Sequence, residues 1–285
     1  MKRICLLLGL VGMLACTKYE VNSHDNNQPP ADLTVSEETK ISYINRLYIT
    51  VLGFKPNSQE REDALMLLNT NPKSRLVRET LVAAIINEDA YEYKVWEDAR
   101  GEVLEGVDTA TIRAEYNEAI YFYNNSSGNT QIYWQLQIDR FALLLNIPQE
   151  LKSNVISMPE MHSRAVNNLI YDDINMGTEN FVVSVFQNFF FRYPTISELE
   201  EGKKMVNGQQ AILFLQGGIS KTDFLNIVFM STAYYEGQMV NLYRKYLFRD
   251  PSSAELSSLT AEYQLYKDYK QQQIQLLASD EYFYL

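Results

Sequence analysis

Three short stretches of the chain place a carboxylate at a fixed distance from a hydroxyl or amide side chain, an arrangement from which acid–base chemistry could be built. They read KPNSQE, RYPTISE and RDPSSAE, and they share the pairs Pro56 and Glu60, Pro194 and Glu198, and Pro251 and Glu255. A glutamate three residues after Asn, Thr or Ser also has the form of a capping box, whose side chains satisfy free backbone amides at a helix start. We therefore expect capping at these positions, with a shared acid site as the alternative, and we predict no catalytic residue.

Two of these stretches also carry an arginine that could bind an anion. Arg192 and Arg249 lie where the preceding helix should end, because the residue before a proline is disfavoured in the helical region. A cation at a helix C-terminus stabilises the helix dipole by about 0.3–1 kcal/mol. We expect this structural role for both arginines, with anion binding as the alternative.

Other side chains with reactive chemistry are few. No nucleophile-elbow pattern accompanies His162, so we expect a packing or surface histidine. The acidic stretch at 172–180 suggests a calcium loop, but Ser184 stands where an EF-hand counted from Asp173 needs its glutamate, which favours a capped turn. The sequence contains no HExxH, CxxCH or glycine-rich phosphate-loop motif. We predict no metal and no cofactor.

The elements that position these residues belong to a longer repeat. Residues 47–60, 185–198 and 242–255 align without a gap. Apolar residues four apart before each proline lie on one helical face, and a capping residue follows the proline, so each copy predicts a helix, a proline turn and a second helix. A later apolar run ends in each copy at a tyrosine and predicts a third, closing helix; these tyrosines are Tyr91, Tyr234 and Tyr282.

The rest of the chain also favours helices. The run FVVSVFQNFFF at 181–191 is rich in β-branched and aromatic residues and could form a strand, but its place in the repeat favours a helix, and we expect no strand elsewhere. The sequence predicts an all-α helical bundle of three related helix–Pro-turn–helix units. Unit 1 covers residues 37–100, a helical connecting region covers 101–180, and units 2 and 3 cover 181–285.

The N-terminus has the parts of a bacterial secretory signal. Two cations precede an apolar run at 4–14 that is too short to span a bilayer, and MLAC ends at Cys16. These last four residues resemble a lipobox. Residues 1–16 are therefore predicted to be a lipoprotein signal peptide and Cys16 the lipidated residue, with an unlipidated, cleaved signal as the alternative. The polar segment 17–36, with its Pro-Pro pair, is predicted to be a flexible tether.

Charge and cysteine content exclude several classes of partner and site. Loss of Lys2 and Arg3 with the signal lowers the formal net charge from −11 to about −13. Such a polyanion is not expected to bind nucleic acid. Cys5 would leave with the signal and Cys16 would carry lipid, so no disulfide and no thiolate metal site is expected.

We expect an outer-membrane location in the cell envelope, periplasmic or surface-exposed.

The repeat resembles the LYxxxLGRxPDxxG unit of small helical domains of unknown function in secreted and surface bacterial proteins, which end in an LxSxEY-like segment. The resemblance covers residues 40–95 and 181–285. The first copy keeps Gly53 but has Phe54 in place of the arginine. The later copies keep the arginine and replace the glycine with phenylalanine. The resemblance implies a helical fold and transfers no activity.

The layout of the whole chain is similar to that of uncharacterised lipoproteins of the Bacteroidota. The tripeptide at 108–110 resembles the O-glycosylation acceptor of exported proteins in that group, which makes Thr109 a candidate for modification.

The function expected from these features is that of a membrane-anchored, non-enzymatic adaptor or assembly subunit of a cell-envelope complex. It would bind a protein partner through surfaces between its helical units. The alternative is a surface glycan-binding lipoprotein, because the aromatic runs YEYKVW and AIYFYNN could stack on sugar rings. At helical spacing such runs are more often part of a core. A hydrolase that uses carboxylates alone is the least favoured expectation.

Overall fold

The periodic apolar residues produce a succession of short helices. The structure is a computed structural model that describes residues 35–285, and within that range it contains 16 helices and two short strands, which confirms the all-α prediction. In chain order the helices of the first half are α1 (Glu37–Leu52), α2 (Ser58–Thr70), α3 (Arg75–Ile86), α4 (Tyr91–Val103), α5 (Thr109–Asn124), α6 (Asn129–Leu145), α7 (Ile147–Lys152), α8 (Met158–Val166) and α9 (Leu169–Ile174). The second half contains α10 (Thr178–Phe190), α11 (Ile196–Val206), β1 (Ala211–Leu213), β2 (Gln216–Gly218), α12 (Lys221–Met230), α13 (Thr232–Leu247), α14 (Ser253–Tyr266), α15 (Tyr269–Leu277) and α16 (Asp280–Phe283).

The last two residues of the predicted tether belong to the folded body. Ser36 caps α1 by accepting a hydrogen bond from the Thr39 amide at 3.1 Å, and Val35 packs against the core. The prediction that 17–36 is all tether is therefore wrong at its C-terminal end. The predicted signal peptide, Cys16 and the rest of the tether lie outside the described residues.

The predicted helix, proline turn and second helix form in all three copies. The helix before each proline ends in the left-handed conformation, at Gly53, Phe191 and Phe248, with φ of 86°, 54° and 55°. The helix after each proline begins with a complete capping box, formed by Asn57 with Glu60, Thr195 with Glu198, and Ser252 with Glu255. The closing helices are α3, α12 and α15.

In the second copy, one sequence interpretation is confirmed and another is wrong. Residues of the run at 181–191 form α10, whose buried side chains repeat at helical spacing, so the helix interpretation is confirmed. The expectation of no strand is wrong, because β1 and β2 form an antiparallel hairpin with Ile212 opposite Gly217. The two residues of its turn, Phe214 and Leu215, both have positive φ.

The three copies pack onto one another around a common core, and residues 35–285 form one compact unit. Helix α13 crosses α10 so closely that a Cβ added at Gly237 would lie 1.9 Å from the Phe189 carbonyl oxygen. The first copy reaches the third through Tyr43, whose hydroxyl donates to the Leu277 carbonyl at 3.0 Å, and through buried Arg78, whose Nε donates to the Ala278 carbonyl at 2.8 Å.

The predicted connecting region is not separate from the repeats. Helix α4 continues through the predicted boundary at residue 100, and α10 begins before the predicted boundary at residue 181. Within this region α5 and α6 are joined by the short loop 125–128 and pack mainly against each other. We call residues 109–145 the α5–α6 hairpin.

Candidate protein-binding surface

The repeated glutamates and arginines form structural ion pairs. Arg192 donates to both carboxylate oxygens of Glu198 at 2.8 and 2.6 Å, and Arg249 donates to both oxygens of Glu255 at 3.0 and 2.8 Å. Arg249 also binds Glu281 through Nε at 2.6 Å. The helix-dipole role expected for these arginines stays a prediction. Each one is positioned by the capping carboxylate of the next helix.

The electrostatics of Glu255 fit a structural role. Its hydrogen bonds with Arg249 and with the Ser252 amide and hydroxyl lower the pKa of the Glu255 carboxyl to about 2. A carboxylate held ionised in this way has no proton to donate near neutral pH. The first copy lacks the arginine, and there Glu60 accepts from the Asn57 amide at 2.7 Å.

His162 is a packing residue, as the sequence predicts. Its Nδ1 lies 2.7 Å from the Tyr234 hydroxyl, and its ring contacts Phe189 and Phe229 with centroid distances of 4.9 and 6.5 Å. Burial lowers the pKa of His162 to about 3. The imidazole is therefore neutral in the folded protein at neutral pH.

The acidic stretch at 172–180 uses its side chains within the fold. Asp172 forms an ion pair with Lys221, and the Thr178 hydroxyl donates to Asn207 at 2.7 Å. Gly177 has a φ of 90° and precedes α10. Within residues 35–285, no three His, Cys, Asp or Glu side chains come together in the way that a metal site needs.

Thr109 is the first residue of α5 and is exposed. The preceding residue, Asp108, caps the helix by accepting from the Thr111 amide at 2.7 Å. The side chain of Thr109 is accessible to a modifying enzyme, and its glycosylation stays a prediction.

The two aromatic runs of the sequence have different environments. In YEYKVW, Tyr91 and Trp96 are buried and Tyr93 is exposed, so this run belongs mainly to the core. In AIYFYNN, Tyr121 and Phe122 are exposed on α5. The second run therefore contributes to a surface.

That surface lies along the α5–α6 hairpin. We define the hairpin surface by its exposed apolar side chains, which are Tyr121, Phe122, Ile132, Tyr133 and Leu136. The aromatic rings support one another: Phe122 stacks on Trp134 with centroids 4.7 Å apart, and Tyr133 meets Trp134 edge-on at 5.1 Å. Aromatic pairs of this geometry contribute about 0.5–1.5 kcal/mol beyond the burial of their area, so the rings stabilise one another.

A shallow groove of about 370 Å³ adjoins this surface. It is lined by Tyr123, Gln131, Ile132, Gln135, Leu136 and Asp139. The lining presents apolar and amide groups together with a single carboxylate, that of Asp139.

The hairpin surface coincides with a stretch that has no charge. Residues 119–138 contain no Asp, Glu, Lys, Arg or His, although charged residues make up 21% of the chain. The stretch combines aromatic residues with Asn, Gln, Ser and Thr. The sequence analysis selected only its first part, the aromatic run AIYFYNN, and as a candidate for sugar stacking; the absence of charge over the whole stretch is the signal that would have revealed the rest.

Both helices of the hairpin also contribute buried residues to the core. In α5 the buried residues are Ile112 and Ala119, and in α6 they are Gln137, Phe141 and Leu144. The sequence expectation placed the interaction surface between the repeated units. The structure instead brings exposed aromatic residues together in the connecting region.

Among the helices of residues 35–285, none is long and apolar enough to cross a bilayer. No family model, curated protein or solved structure matches this chain. The resemblance to small helical domains and to Bacteroidota lipoproteins therefore stays a prediction.

Proposed function

We propose that the protein is a membrane-anchored, non-enzymatic adaptor or assembly subunit of a cell-envelope complex, which binds a protein partner through the hairpin surface. The observation that carries the proposal is the exposure of several apolar side chains within a charge-free stretch at 119–138. In a chain with a net charge of −11, such a stretch is a local departure from the rest of the surface.

The composition of the hairpin surface supports a protein partner. The cores of protein–protein interfaces are enriched in Tyr, Trp and Phe and depleted in Lys, Glu and Asp, which is the pattern of residues 119–138. Ring packing around Trp134 reduces the side-chain entropy that binding would otherwise cost. A partner that covers these rings would gain the hydrophobic free energy of their burial.

The membrane anchor is the second part of the proposal. A lipid on Cys16 would keep the folded body, and with it the hairpin surface, close to the membrane where an envelope partner resides. A test of this part uses metabolic labelling with a fatty acid and membrane fractionation of the native chain and of Cys16→Ser. Label and membrane retention that are lost together in Cys16→Ser support the anchor, and equal retention of the two proteins contradicts it.

The partner is tested by affinity capture of the full-length chain from detergent-solubilised membranes of the cells that produce it. The hairpin variant is Ile132→Glu and the matched control is Leu76→Glu, since the two aliphatic side chains are 69% and 71% exposed on helices. The proposal expects a stoichiometric protein partner that Ile132→Glu loses and Leu76→Glu keeps. A partner that survives both substitutions, or no partner at all, would overturn it.

A further inference from the structure

A second concave feature lies on another part of the body. A cleft of about 400 Å³ opens between α4, the segment between α7 and α8, and the turn between α14 and α15. Ligand sites for small molecules have volumes of roughly 300–1,000 Å³. Its lining includes Tyr91, Glu92, Asn154, Ser157, Tyr266 and Tyr269.

The charged groups of this cleft are already bound within the protein. Glu92 accepts a hydrogen bond from Lys270 at 2.7 Å, and the Lys270 ammonium also lies over the Tyr91 ring at 4.8 Å. Lys267 donates to the Tyr235 hydroxyl at 2.6 Å. A charged ligand would have to displace one of these contacts.

The fourth charged group is engaged as well. Asp268 caps α15 by accepting from the Gln271 amide at 2.9 Å. With two carboxylates and two ammonium groups, the lining offers no excess of either sign. The electrostatics of the cleft therefore favour an uncharged ligand.

Two neutral polar side chains of the cleft, those of Ser157 and Asn154, are exposed to solvent and make no hydrogen bond with other residues of the described range 35–285, so a ligand would replace water on them. Ser157 stands at the N-cap position of α8, but its hydroxyl makes no capping hydrogen bond. Within residues 35–285, the side chains of Ser157 and Asn154 form no hydrogen bond, and Asn154 is held in the left-handed region with φ of 53°. Both side chains can donate to and accept from a ligand.

A buried amide marks the inner wall of the same region. A polar cavity of about 30 Å³ shares Tyr91, Val95, Met158 and Tyr269 with the cleft. Gln238 lines this cavity, is buried, and has no hydrogen-bond partner in the described part of the chain. A volume of this size is large enough to hold an ordered water molecule.

Aromatic rings complete the cleft. Tyr266 lies at the C-terminal end of α14 and is 70% exposed, at a position that could equally carry a charged residue. Tyr269 beside it is half-buried. A tyrosine offers a flat apolar face together with a polar edge. A sugar ring presents the matching surfaces, with C–H groups on its faces and hydroxyls around its edge.

We infer that this cleft binds a neutral carbohydrate of one or two rings, stacked on Tyr266 and hydrogen-bonded to Ser157 and Asn154. The inference goes beyond the proposed adaptor function and uses a different surface. It also gives the carbohydrate alternative from the sequence a location, at a cleft that shares Tyr91 with the aromatic run YEYKVW but takes its stacking ring, Tyr266, from outside both runs.

The test is isothermal titration of the folded protein with a panel of neutral disaccharides, namely maltose, cellobiose, lactose and chitobiose. The variant is Tyr266→Ala and its matched control is Tyr193→Ala, because both tyrosines are 70% exposed. We expect saturable binding of at least one disaccharide, weakened about tenfold or more by Tyr266→Ala and unchanged by Tyr193→Ala. Circular dichroism of both variants verifies that each is folded.

Three outcomes would overturn the inference. They are the absence of saturable binding by every disaccharide, equal binding by the two tyrosine variants, and binding of an acetylated, amidated tripeptide that competes with the sugar at Tyr266. The hairpin variant Ile132→Glu should bind the disaccharide as the unmodified protein does, so the two proposals can fail separately.

Discussion

Arg249 donates hydrogen bonds from both terminal guanidinium nitrogens to the carboxylate oxygens of Glu255, at 3.0 and 2.8 Å, although a proline turn separates the two residues. Glu255 in turn accepts from the Ser252 amide at 2.7 Å as part of the capping box. One carboxylate therefore joins the end of α13 to the start of α14. Arg192 and Glu198 repeat the arrangement between α10 and α11.

The first prediction concerns this cap. Ser252→Ala removes the side-chain acceptor for the Glu255 amide, and we expect the free energy of unfolding to fall by about 1 kcal/mol. Urea titration followed by circular dichroism measures the change. The control is Ser257→Ala, which changes an exposed serine inside the same helix and should leave stability equal or slightly higher. Loss of partner binding by Ser252→Ala with unchanged stability would contradict the structural role.

The second prediction concerns the left-handed residue at the end of α13. Phe248 has φ of 55° and its side chain is 78% exposed. A left-handed L-residue costs roughly 1–2 kcal/mol, and glycine in its place loses about 0.5–1 kcal/mol of chain entropy. We therefore expect Phe248→Gly to raise the free energy of unfolding by up to about 1 kcal/mol, measured by thermal and urea unfolding.

The equivalent position in the first copy supplies the opposite test. Gly53 has φ of 86°, and a Cβ added there would lie 3.2 Å from Lys94 Cδ. Gly53→Ala should therefore lower stability by about 1 kcal/mol. If both substitutions shift stability in the same direction, the conformational argument for these turns is wrong.

Local signals explain what the sequence predicted correctly. A helix start needs only a capping residue and a glutamate three positions later, and Asn57 with Glu60 satisfies this within one turn. The pairing of Arg249 with Glu255 was not predicted, because a separation of six residues is not a helical contact distance and depends on the path of the turn.

Tertiary packing explains what the sequence did not predict. The β-hairpin has strands of three residues, and its turn uses Phe214 and Leu215 where Asn-Gly is the usual signal. Periodicity indicated the helices of the α5–α6 hairpin, but it could not say which face would remain uncovered, since that depends on where the rest of the chain packs. The same limit applies to the cleft beside Tyr266, whose walls come from three distant segments.

The third prediction concerns pH. Burial lowers the pKa of His162 to about 3, whereas an unfolded histidine titrates near its ordinary value of about 6.5. Between these values the unfolded chain binds more protons than the folded one, so the contribution of His162 to stability is present above about pH 6.5 and is lost as the pH falls toward 3. At pH 5 the loss should be about 2 kcal/mol relative to pH 8.

Urea titrations of the native chain and of His162→Gln at pH 8 and pH 5 measure this contribution. Glutamine can retain a hydrogen bond to the Tyr234 hydroxyl but does not titrate. The native chain should lose more stability on acidification than the variant does. An equal loss in both proteins would show that His162 is not a source of the pH dependence.

The fourth prediction concerns the contact between the second and third copies. Gly237 in α13 is buried against α10, where an added Cβ would lie 1.9 Å from the Phe189 carbonyl oxygen and 3.1 Å from the Phe190 Cα. Both neighbours are backbone atoms, so no side-chain rotation can relieve the overlap. Gly237→Ala must separate the two helices, and we expect it to lower the free energy of unfolding by about 3 kcal/mol.

Gly101→Ala is the matched control, because Gly101 also lies inside a helix but an added Cβ there would meet no atom within 4 Å. Replacing an exposed helical glycine by alanine should raise stability by roughly 0.5–1 kcal/mol. Opposite shifts of the urea midpoint in the two variants would establish that Gly237 permits close approach of the helices. A stabilising effect of Gly237→Ala would mean that α10 and α13 do not pack against each other as the structure places them. The packing of copies two and three would then be wrong.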